Sequence, residues 1–253
     1  MISALKLQQQ IPSFYHVHCF ERLESTNTFL MEHHEMEEGT VILADEQTGG
    51  KGRNGRVFHS PKGTGIYLSV LLKPKGDLYD MLSLTAVAAV SCLKAIEDVY
   101  GLSCSIKWLN DIMLDGKKIA GILCESRMMA GSENMAAMVV GVGINVHSFA
   151  KPSDIANIAA SLEEFTDKQK PRQMLVARFL HHFYALYNLR GDNSMHAFYR
   201  NHSLVIGKVV TVIYNNTKYQ AYAQDVDERY RLLLRKEDGT YDYLSTGEVS
   251  IRL

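Results

Sequence analysis

The sequence predicts an α+β protein in which a mixed sheet with helices is followed by a small β-barrel. Strand-length apolar runs, such as Thr40 to Ala44 and Ile66 to Leu72, recur in the first part of the chain. Two long segments, Leu78 to Tyr100 and Arg172 to Leu189, carry apolar residues at helical spacing. From about Gly207 the chain changes to short β-rich runs separated by turn residues, which is typical of a small barrel.

The elements of the first domain can be assigned in order. Phe14 to Phe20 is aromatic and β-branched, as in a first strand, and Ser25-Thr26-Asn27 then offers cap residues for a helix to about His34. The strand Ile66 to Leu72 ends at Pro74 and Gly76. Further features are strands at Ser103 to Trp108, Lys117 to Arg127 and Ala137 to Val146, a hairpin turn at Asp115-Gly116, a loop at Gly131 to Asn134 and an irregular segment over 154–170.

The barrel is predicted from five short runs with turn signals between them. Asn215-Asn216, Asp227-Glu228 and Asp238-Gly239 separate the first four runs. The runs are Lys208 to Tyr214, Lys218 to Val226, Tyr230 to Lys236, Tyr241 to Thr246 and Val249 to Leu253. We therefore divide the chain into a first domain over 1–203 and a barrel over 204–253.

Composition limits the classes of function. The formal net charge of −1 gives no general attraction to nucleic acid or to an anionic membrane. The four cysteines stand far apart without a C-x-x-C pair, so neither a zinc site nor a disulfide framework is indicated. No apolar stretch approaches the length of a membrane span or a signal peptide. A cytoplasmic protein with reduced thiols is expected.

The segment from Thr48 to Ser60, TGGKGRNGRVFHS, is the strongest candidate for a binding loop. Its glycines alternate with Lys51, Arg53 and Arg56, and no acidic residue occurs over 48–75. Glycine lets backbone N–H groups turn toward a ligand, and the cations supply fixed charge, so the composition suits an anion. A mobile, solvated basic loop has the same composition, and both interpretations remain open from composition alone.

Other phosphate-binding motifs do not explain this loop. It matches G-x-G-x-x-G over 50–55, but His59-Ser60-Pro61 prevents the helix that a dinucleotide fold requires there. The kinase motifs H-R-D and D-F-G are absent from the sequence.

Three companion motifs make a family recognisable. They are Ser25-Thr26-Asn27 before a helix, Lys107-Trp108-Leu109-Asn110-Asp111 followed by GKKIAGI over 116–122, and GVGINV over 141–146. Together with the basic glycine loop, and in this order, they resemble the biotin protein ligases. The resemblance runs from about Phe14 to Leu253 and implies a catalytic domain of the class II synthetase-like kind shared with lipoate ligases, followed by an SH3-like barrel.

The resemblance implies an activity in two steps. ATP would activate the carboxylate of biotin to biotinyl-5′-AMP with release of pyrophosphate, and biotin would then pass to a lysine of a biotin carboxyl carrier protein or domain of a carboxylase. Biotin's carboxylate is already ionised, so the first step needs two anions held in line rather than a strong base. Lys118, Arg53, Arg56 and Asp111 are the implied catalytic residues, the three cations neutralising the charge that grows on the α-phosphate.

The resemblance also implies binding roles, residue by residue. The biotin-binding set is Ser25, Thr26, Asn27, Gln47, Lys51, Gly52, Arg53 and Lys118. The ATP-binding set is Arg56, Phe58, Lys107, Asn110, Asn145 and Arg252, with Mg²⁺ near Asp111. Without the resemblance, Ser25 to Asn27 would be interpreted as a helix cap and Phe58 as a core aromatic.

The sequence departs from the family pattern at three places. Lys51 stands where the family has arginine, which loses the bidentate fork. Leu109 stands where the family has proline, which predicts a less rigid turn. Val57-Phe58-His59 also resembles lipoate ligases, so lipoate or octanoate is the alternative substrate.

Two questions about partners follow. Only about a dozen residues precede the first predicted strand, too few for a DNA-reading domain, so a short form of the ligase without a DNA-binding role is expected. An exposed strand would pair two copies as a homodimer or would meet only the carrier domain, and the sequence leaves both open.

Overall fold

A computed structural model describes residues 1–73, 78–128, 135–189, 193–215 and 217–250. Several sequence predictions lie outside these residues. They are the strand end at Pro74 and Gly76, the loop from Gly131 to Asn134, the turn residue Asn216, the barrel run beyond Ser250 and the ATP-binding role of Arg252.

A seven-stranded mixed sheet carries the first part of the chain, in the order β1-β2-β3-β7-β6-β5-β4. The pair β1 and β2 is parallel and the other pairs are antiparallel. The strands are β1 (His16–Leu23), β2 (Thr40–Gln47), β3 (Gly65–Leu72), β4 (Ser105–Lys107), β5 (Asp111–Leu114), β6 (Lys117–Met128) and β7 (Met135–Asn145). The predicted mixed sheet is confirmed.

Five α-helices accompany the sheet in the described part of the chain. They are α1 (Ala4–Gln8), α2 (Thr26–Glu32), α3 (Leu78–Tyr100), α4 (Arg172–Asn188) and α5 (Asn193–Asn201). Ser25 caps α2 by accepting a bond from the Thr28 backbone N–H, as the cap signal predicts. The short helices α1 and α5 have no counterpart in the sequence prediction.

The helices cover the two faces of the sheet unequally. Alternate residues of the central strands, among them Leu68, Val70 and Val140, bury against α3 and α4 in the main core. The opposite residues, including Leu71 and Val139, bury against Leu30 of α2 in a much smaller cluster. Because α2 is short, it leaves part of its face of β3, β6 and β7 uncovered, and the candidate site lies there.

A two-residue turn joins β5 to β6. Asp115 and Gly116 have φ values of 46° and 76°, the positive pair that a two-residue hairpin turn requires. The turn brings Asp111 opposite Gly121 and Met113 opposite Lys118. The predicted hairpin therefore brings Asp111 on β5 close to Lys118 on β6.

The C-terminal strands form a second, antiparallel sheet in the order β11-β10-β9-β8-β12. The strands are β8 (Val209–Tyr214), β9 (Thr217–Val226), β10 (Leu232–Arg235), β11 (Tyr241–Leu244) and β12 (Glu248–Ser250). The last strand returns to pair with the first, which is consistent with the expected SH3-like barrel. The boundary at 203/204 falls between α5 and β8 and stays a prediction.

Two further observations bear on the expectations. All four cysteines are free. Within the described residues, no helix is both long enough and apolar enough to cross a membrane.

Candidate functional site

A pocket of about 470 Å³, counting its open mouth, lies on the α2 face of the large sheet. Its floor is made by glycines that face each other across β6 and β7. A Cβ at Gly141 would lie 2.1 Å from Asn27 Oδ1, and one at Gly143 would lie 2.5 Å from the Phe58 ring. Gly121 pairs with Gly143 and also lines the pocket. The GVGINV motif is thus glycine-rich because the sheet must admit side chains that come from outside it.

Thr26 and Gln47 form the neutral polar end of the pocket. The Gln47 Oε1 atom accepts a 2.9 Å bond from the Thr26 backbone N–H and lies 3.1 Å from Thr26 Oγ1. The Gln47 Nε2 group donates to Ser60 Oγ at 2.9 Å, and Ser60 Oγ donates to the Phe58 carbonyl at 2.9 Å. This end offers uncharged donors and acceptors beside apolar walls, which suits a neutral heterocycle.

Asn27 is buried behind Thr26 and is held by the sheet. Its Nδ2 group donates to Glu125 Oε2 at 2.7 Å and to the Leu123 carbonyl at 3.2 Å. Its Oδ1 atom lies 2.6 Å from Ser69 Oγ, which also lies 2.7 Å from Thr26 Oγ1. Strand register explains these contacts, because Ser69 pairs with Gly141 and Glu125 pairs with Val139 on the same face.

The glycine-rich loop folds back on itself over the pocket. Gly52 N–H donates to the Arg56 carbonyl at 2.7 Å, and Phe58 N–H donates to the Gly50 carbonyl at 2.8 Å. Asn54 and Gly55 both have positive φ, 54° and 73°, at the tip of this turn. The loop is therefore a defined turn, which presents Lys51, Gly52 and Arg53 to the pocket.

The loop arginines reach the second sheet. Arg53 Nη2 donates to the Gly247 carbonyl at 2.8 Å, while its Nη1 donates to Asn110 Oδ1 at 3.1 Å. Arg56 Nη2 lies 2.6 Å from Glu248 Oε2. Burial lowers the pKa of Arg53, and the nearby carboxylates of Asp111 and Glu248 act in the opposite direction. The guanidinium still carries its charge near neutral pH.

Lys118 is the second cation of the pocket. Its Nζ lies 2.6 Å from Asp111 Oδ1, and both side chains are largely shielded, at 33% and 19% exposure. The backbone of Lys118 is fixed on its other side by bonds with Ile158 and Ala160. A lysine whose backbone is held on both sides and whose ammonium is paired with Asp111 can meet an anion without a large loss of side-chain freedom.

Phe58 forms a wall between the two ends of the pocket. Its ring lies against Gly143 and Gly121 and meets Tyr67 edge-on at 6.4 Å between centroids. The ring is only partly buried and lines the pocket, so it is available to a ligand as an aromatic face.

Most of the predicted site residues come together. The pocket lining contains Ser25, Thr26, Asn27, Gln47, Lys51, Gly52, Arg53, Phe58, Asn110 and Lys118. Arg56, Lys107, Asp111 and Asn145 are not part of this lining. Asp111 touches Lys118, Arg56 touches Glu248, and Asn145 donates to the Ala160 carbonyl at 3.1 Å. Their assigned roles stay predictions.

The sequence interpretation missed several polar partners. Apart from Tyr67, Ser69 is the only residue with a hydroxyl group in the apolar strand GIYLSVLL. A lone hydroxyl in such a strand is a signal from which a buried polar contact could have been predicted. Ser60 and Glu125 carry no local signal, because their role depends on which strands pair.

The segment with Leu109 in place of the family's proline is held by two bonds. The Tyr199 hydroxyl donates to the Leu109 carbonyl at 3.2 Å, and Trp108 Nε1 donates to the Tyr230 carbonyl at 2.9 Å. The peptide bond between Trp108 and Leu109 is cis. The greater flexibility expected from Leu109 stays a prediction.

A metal ion would find the carboxylate of Asp111 next to the pocket, where it contacts Lys118. Among the described residues, no three His, Cys, Asp or Glu side chains cluster as a metal site. Asp111 and the side-chain oxygen of Asn110 are hard oxygen donors beside the cations. This set fits Mg²⁺ carried by phosphate oxygens better than an all-protein metal cage.

Comparisons with known proteins agree with this geometry. Residues 19–145 match the model of the biotin/lipoate A/B protein ligase family. The bifunctional ligase/repressor BirA of Bacillus spizizenii is 34% identical over 207 residues, which cover 80% of this chain and 63% of that protein. The chain therefore spans less than two thirds of this longer relative. The biotin--[acetyl-CoA-carboxylase] ligase of Mycobacterium tuberculosis is 30% identical over 84% of this chain and 79% of the relative.

A solved structure shares the whole architecture. The biotin protein ligase from Aquifex aeolicus, in complex with biotin and ATP, superposes with a TM-score of 0.80 at 28% identity. The match covers 94% of this chain and 99% of that one, so it includes both sheets.

Proposed function

This chain belongs to the biotin/lipoate A/B protein ligase family, and we propose that it is an ATP-dependent biotin protein ligase. It would activate biotin to biotinyl-5′-AMP and then transfer biotin to a lysine of a carboxylase's carrier domain. One observation carries the proposal. A single pocket joins a neutral polar end at Thr26 and Gln47 to a cationic end at Arg53 and Lys118. Biotin has the same division, with a neutral ureido ring and an ionised carboxylate.

The first half-reaction brings two anions together. Lys118, Lys51 and Arg53 surround the end of the pocket where the carboxylate of biotin would meet the α-phosphate of ATP. Their positive charges reduce the repulsion between the two groups and stabilise the charge of the transition state. The carboxylate oxygen attacks phosphorus, and pyrophosphate leaves with the electron pair of the broken bond.

We place ATP on the side of the Phe58 ring that faces away from Thr26 and Gln47. The partly exposed ring offers a face for adenine, and Asn145, Asn110, Lys107, Arg56 and Arg252 are the proposed polar contacts. Mg²⁺, when bound with the nucleotide, would neutralise phosphate charge, with Asp111 as its ligand from the protein.

The second half-reaction uses the same pocket. The lysine of the carrier attacks the acyl carbon of biotinyl-5′-AMP, and AMP leaves. We assign Asp111 as the acceptor of the lysine proton, since its carboxylate is 2.6 Å from Lys118 and lies between strands that are fixed by pairing. These steps consume ATP, which favours a cytoplasmic location. We propose ligase activity without a DNA-binding role.

The test is ATP–pyrophosphate exchange with magnesium and each of biotin, lipoate and octanoate as the acid. Exchange with biotin alone is expected, followed by labelling of a carrier-domain lysine in a second assay. Exchange with lipoate or octanoate alone would assign the chain to the lipoate branch of the same family. Exchange with none of the three would refute the activity.

A further inference from the structure

The amide of Asn27 has one allowed orientation. Its Nδ2 faces the Glu125 carboxylate at 2.7 Å and the Leu123 carbonyl at 3.2 Å, and both groups can only accept hydrogen bonds. A flipped amide would set its oxygen against two acceptors in a site where Asn27 is 4% exposed. The Oδ1 atom therefore points to Ser69 and can only accept from it.

The amide of Gln47 is also fixed. The Ser60 hydroxyl gives its proton to the Phe58 carbonyl, so Ser60 Oγ accepts from Gln47 Nε2. The Gln47 oxygen accepts from the Thr26 backbone N–H. The bond to Ser60 uses one N–H of the amide, and no other acceptor within the described residues bonds the second. That N–H is a donor for a ligand.

The proton of Ser69 then decides what Thr26 offers. Ser69 Oγ has one proton and two contacts, at 2.6 Å to Asn27 Oδ1 and at 2.7 Å to Thr26 Oγ1. Asn27 Oδ1 can only accept, and Ser69 Oγ is the donor to it and to Thr26 Oγ1. The Thr26 hydroxyl directs its own proton to Gln47 Oε1 at 3.1 Å. Thr26 Oγ1 faces the pocket as an acceptor.

We propose that Ser69 and Glu125 are positioning residues for ligand specificity that fix the Thr26 hydroxyl, Ser69 directly and Glu125 through Asn27. The pocket then presents an acceptor on Thr26 beside a donor on Gln47. This pair selects an acid whose head group carries an N–H donor next to a carbonyl. The inference rests on the proposed function and deepens it: the ureido ring of biotin has both groups, whereas the dithiolane of lipoate and the chain of octanoate have neither.

Loss of the Ser69 hydroxyl removes the donor that holds Thr26 and Asn27 in place. Without it, the Thr26 side chain is no longer fixed in the position that turns its acceptor toward the N–H of the ligand. Sites built to bond a polar ligand group discriminate strongly when one partner is wrong. We expect the Kd for biotin to rise about tenfold or more in Ser69→Ala, which corresponds to about 1.4 kcal/mol.

The experiment measures biotin binding to the full chain by isothermal titration calorimetry. Ser91→Ala is the matched control: Ser91 is also 0% exposed, and its hydroxyl donates to the Val87 carbonyl within α3, away from the pocket. Both variants lose one buried hydroxyl, so both should lower the melting temperature by similar amounts. Only Ser69→Ala should weaken biotin binding, with a raised KM for biotin and kcat within about twofold of wild type.

Glu125 provides a second route to the same test. Glu125→Gln keeps an acceptor for Asn27 Nδ2 and should retain biotin affinity within about threefold, whereas Glu125→Leu should weaken it about tenfold. Equal biotin affinities for Ser69→Ala and Ser91→Ala, or for the two Glu125 variants, would overturn the inference and leave the ligase function standing. A wild-type chain that does not bind biotin would overturn both.

Discussion

Substituting Gly141 by alanine should damage both stability and biotin binding, because the new methyl group would occupy the place of the Asn27 amide. A Cβ at this position would lie 2.1 Å from Asn27 Oδ1 and 2.8 Å from its Cγ. Both distances are far below van der Waals contact, and β7 is fixed by pairing on both sides. The amide must therefore leave its site.

The cost can be estimated from the contacts that Asn27 would lose. Its amide has bonds to Leu123, Glu125 and Ser69, each contributing about 1 kcal/mol. The smaller backbone entropy cost of alanine offsets about 0.5–1 kcal/mol of the total. A net loss of about 2–2.5 kcal/mol follows. For a chain of this size, that corresponds to a melting temperature lower by about 4–10 °C.

A double-mutant cycle separates this clash from a general effect of the substitution. In an Asn27→Ala background the amide is already absent, so adding Gly141→Ala should cost much less than it does in wild type. Thermal unfolding of the four proteins gives the coupling, which we expect to be about 2 kcal/mol. Additive effects, or a Gly141→Ala protein with wild-type stability and biotin affinity, would refute the assignment of Gly141 as the space for Asn27.

Three further predictions concern the charged groups. Lys118→Ala should lower the rate of ATP–pyrophosphate exchange about 100-fold with little change in melting temperature. Lys117 is the control, because its side chain bonds a loop carbonyl outside the pocket, and Lys117→Ala should keep a rate near that of wild type. Equal rates for the two would remove Lys118 from the reaction. Arg172→Met leaves the buried carboxylate of Asp45 on β2 without its 2.8 Å partner, and the free energy of unfolding measured in urea should fall by about 3 kcal/mol. Arg178 lies at an exposed position of α4, so Arg178→Met should leave that free energy nearly unchanged. Comparable losses would mean that the buried pair contributes no more than surface charge. Glu248→Gln should speed trypsin cleavage within 51–56 several-fold without changing the melting temperature, and unchanged cleavage would mean that the loop holds its turn unaided.

Local chemistry made much of the fold predictable from the sequence. The positive-φ pair Asp115-Gly116 fixes a hairpin by itself, and Ser25 caps α2 through atoms three residues away. The apolar spacing of α3 defines a helix with the bounds that the sequence predicts, Leu78–Tyr100. Composition alone leaves the glycine-rich loop open between a ligand loop and a solvated basic loop, and the companion motifs are what favour the ligand loop.

Other parts of the site depend on strand register, which the sequence does not state. Ser69 meets Asn27 only because β3 pairs with β7 so that Ser69 lies opposite Gly141. Glu125 reaches the same amide from β6 through a second pairing. A shift of one residue in either pairing would turn these side chains to the other face. The helix α5, with Tyr199 as a bond donor to Leu109, was missed because its nine residues are mostly polar and only Met195 and Tyr199 are buried.

The bonds between the glycine-rich loop and β12 have a consequence for how the protein is made. Arg53 and Arg56 are separated from Gly247 and Glu248 by 194 and 192 residues of sequence. During synthesis the sheet that holds the pocket can fold first, as N-terminal units generally do. The arginines of the loop can reach these partners only after β12 has been synthesised. The growing chain would thus have a folded pocket floor well before its loop is fastened, and the pocket is completed only when β12 has joined the second sheet.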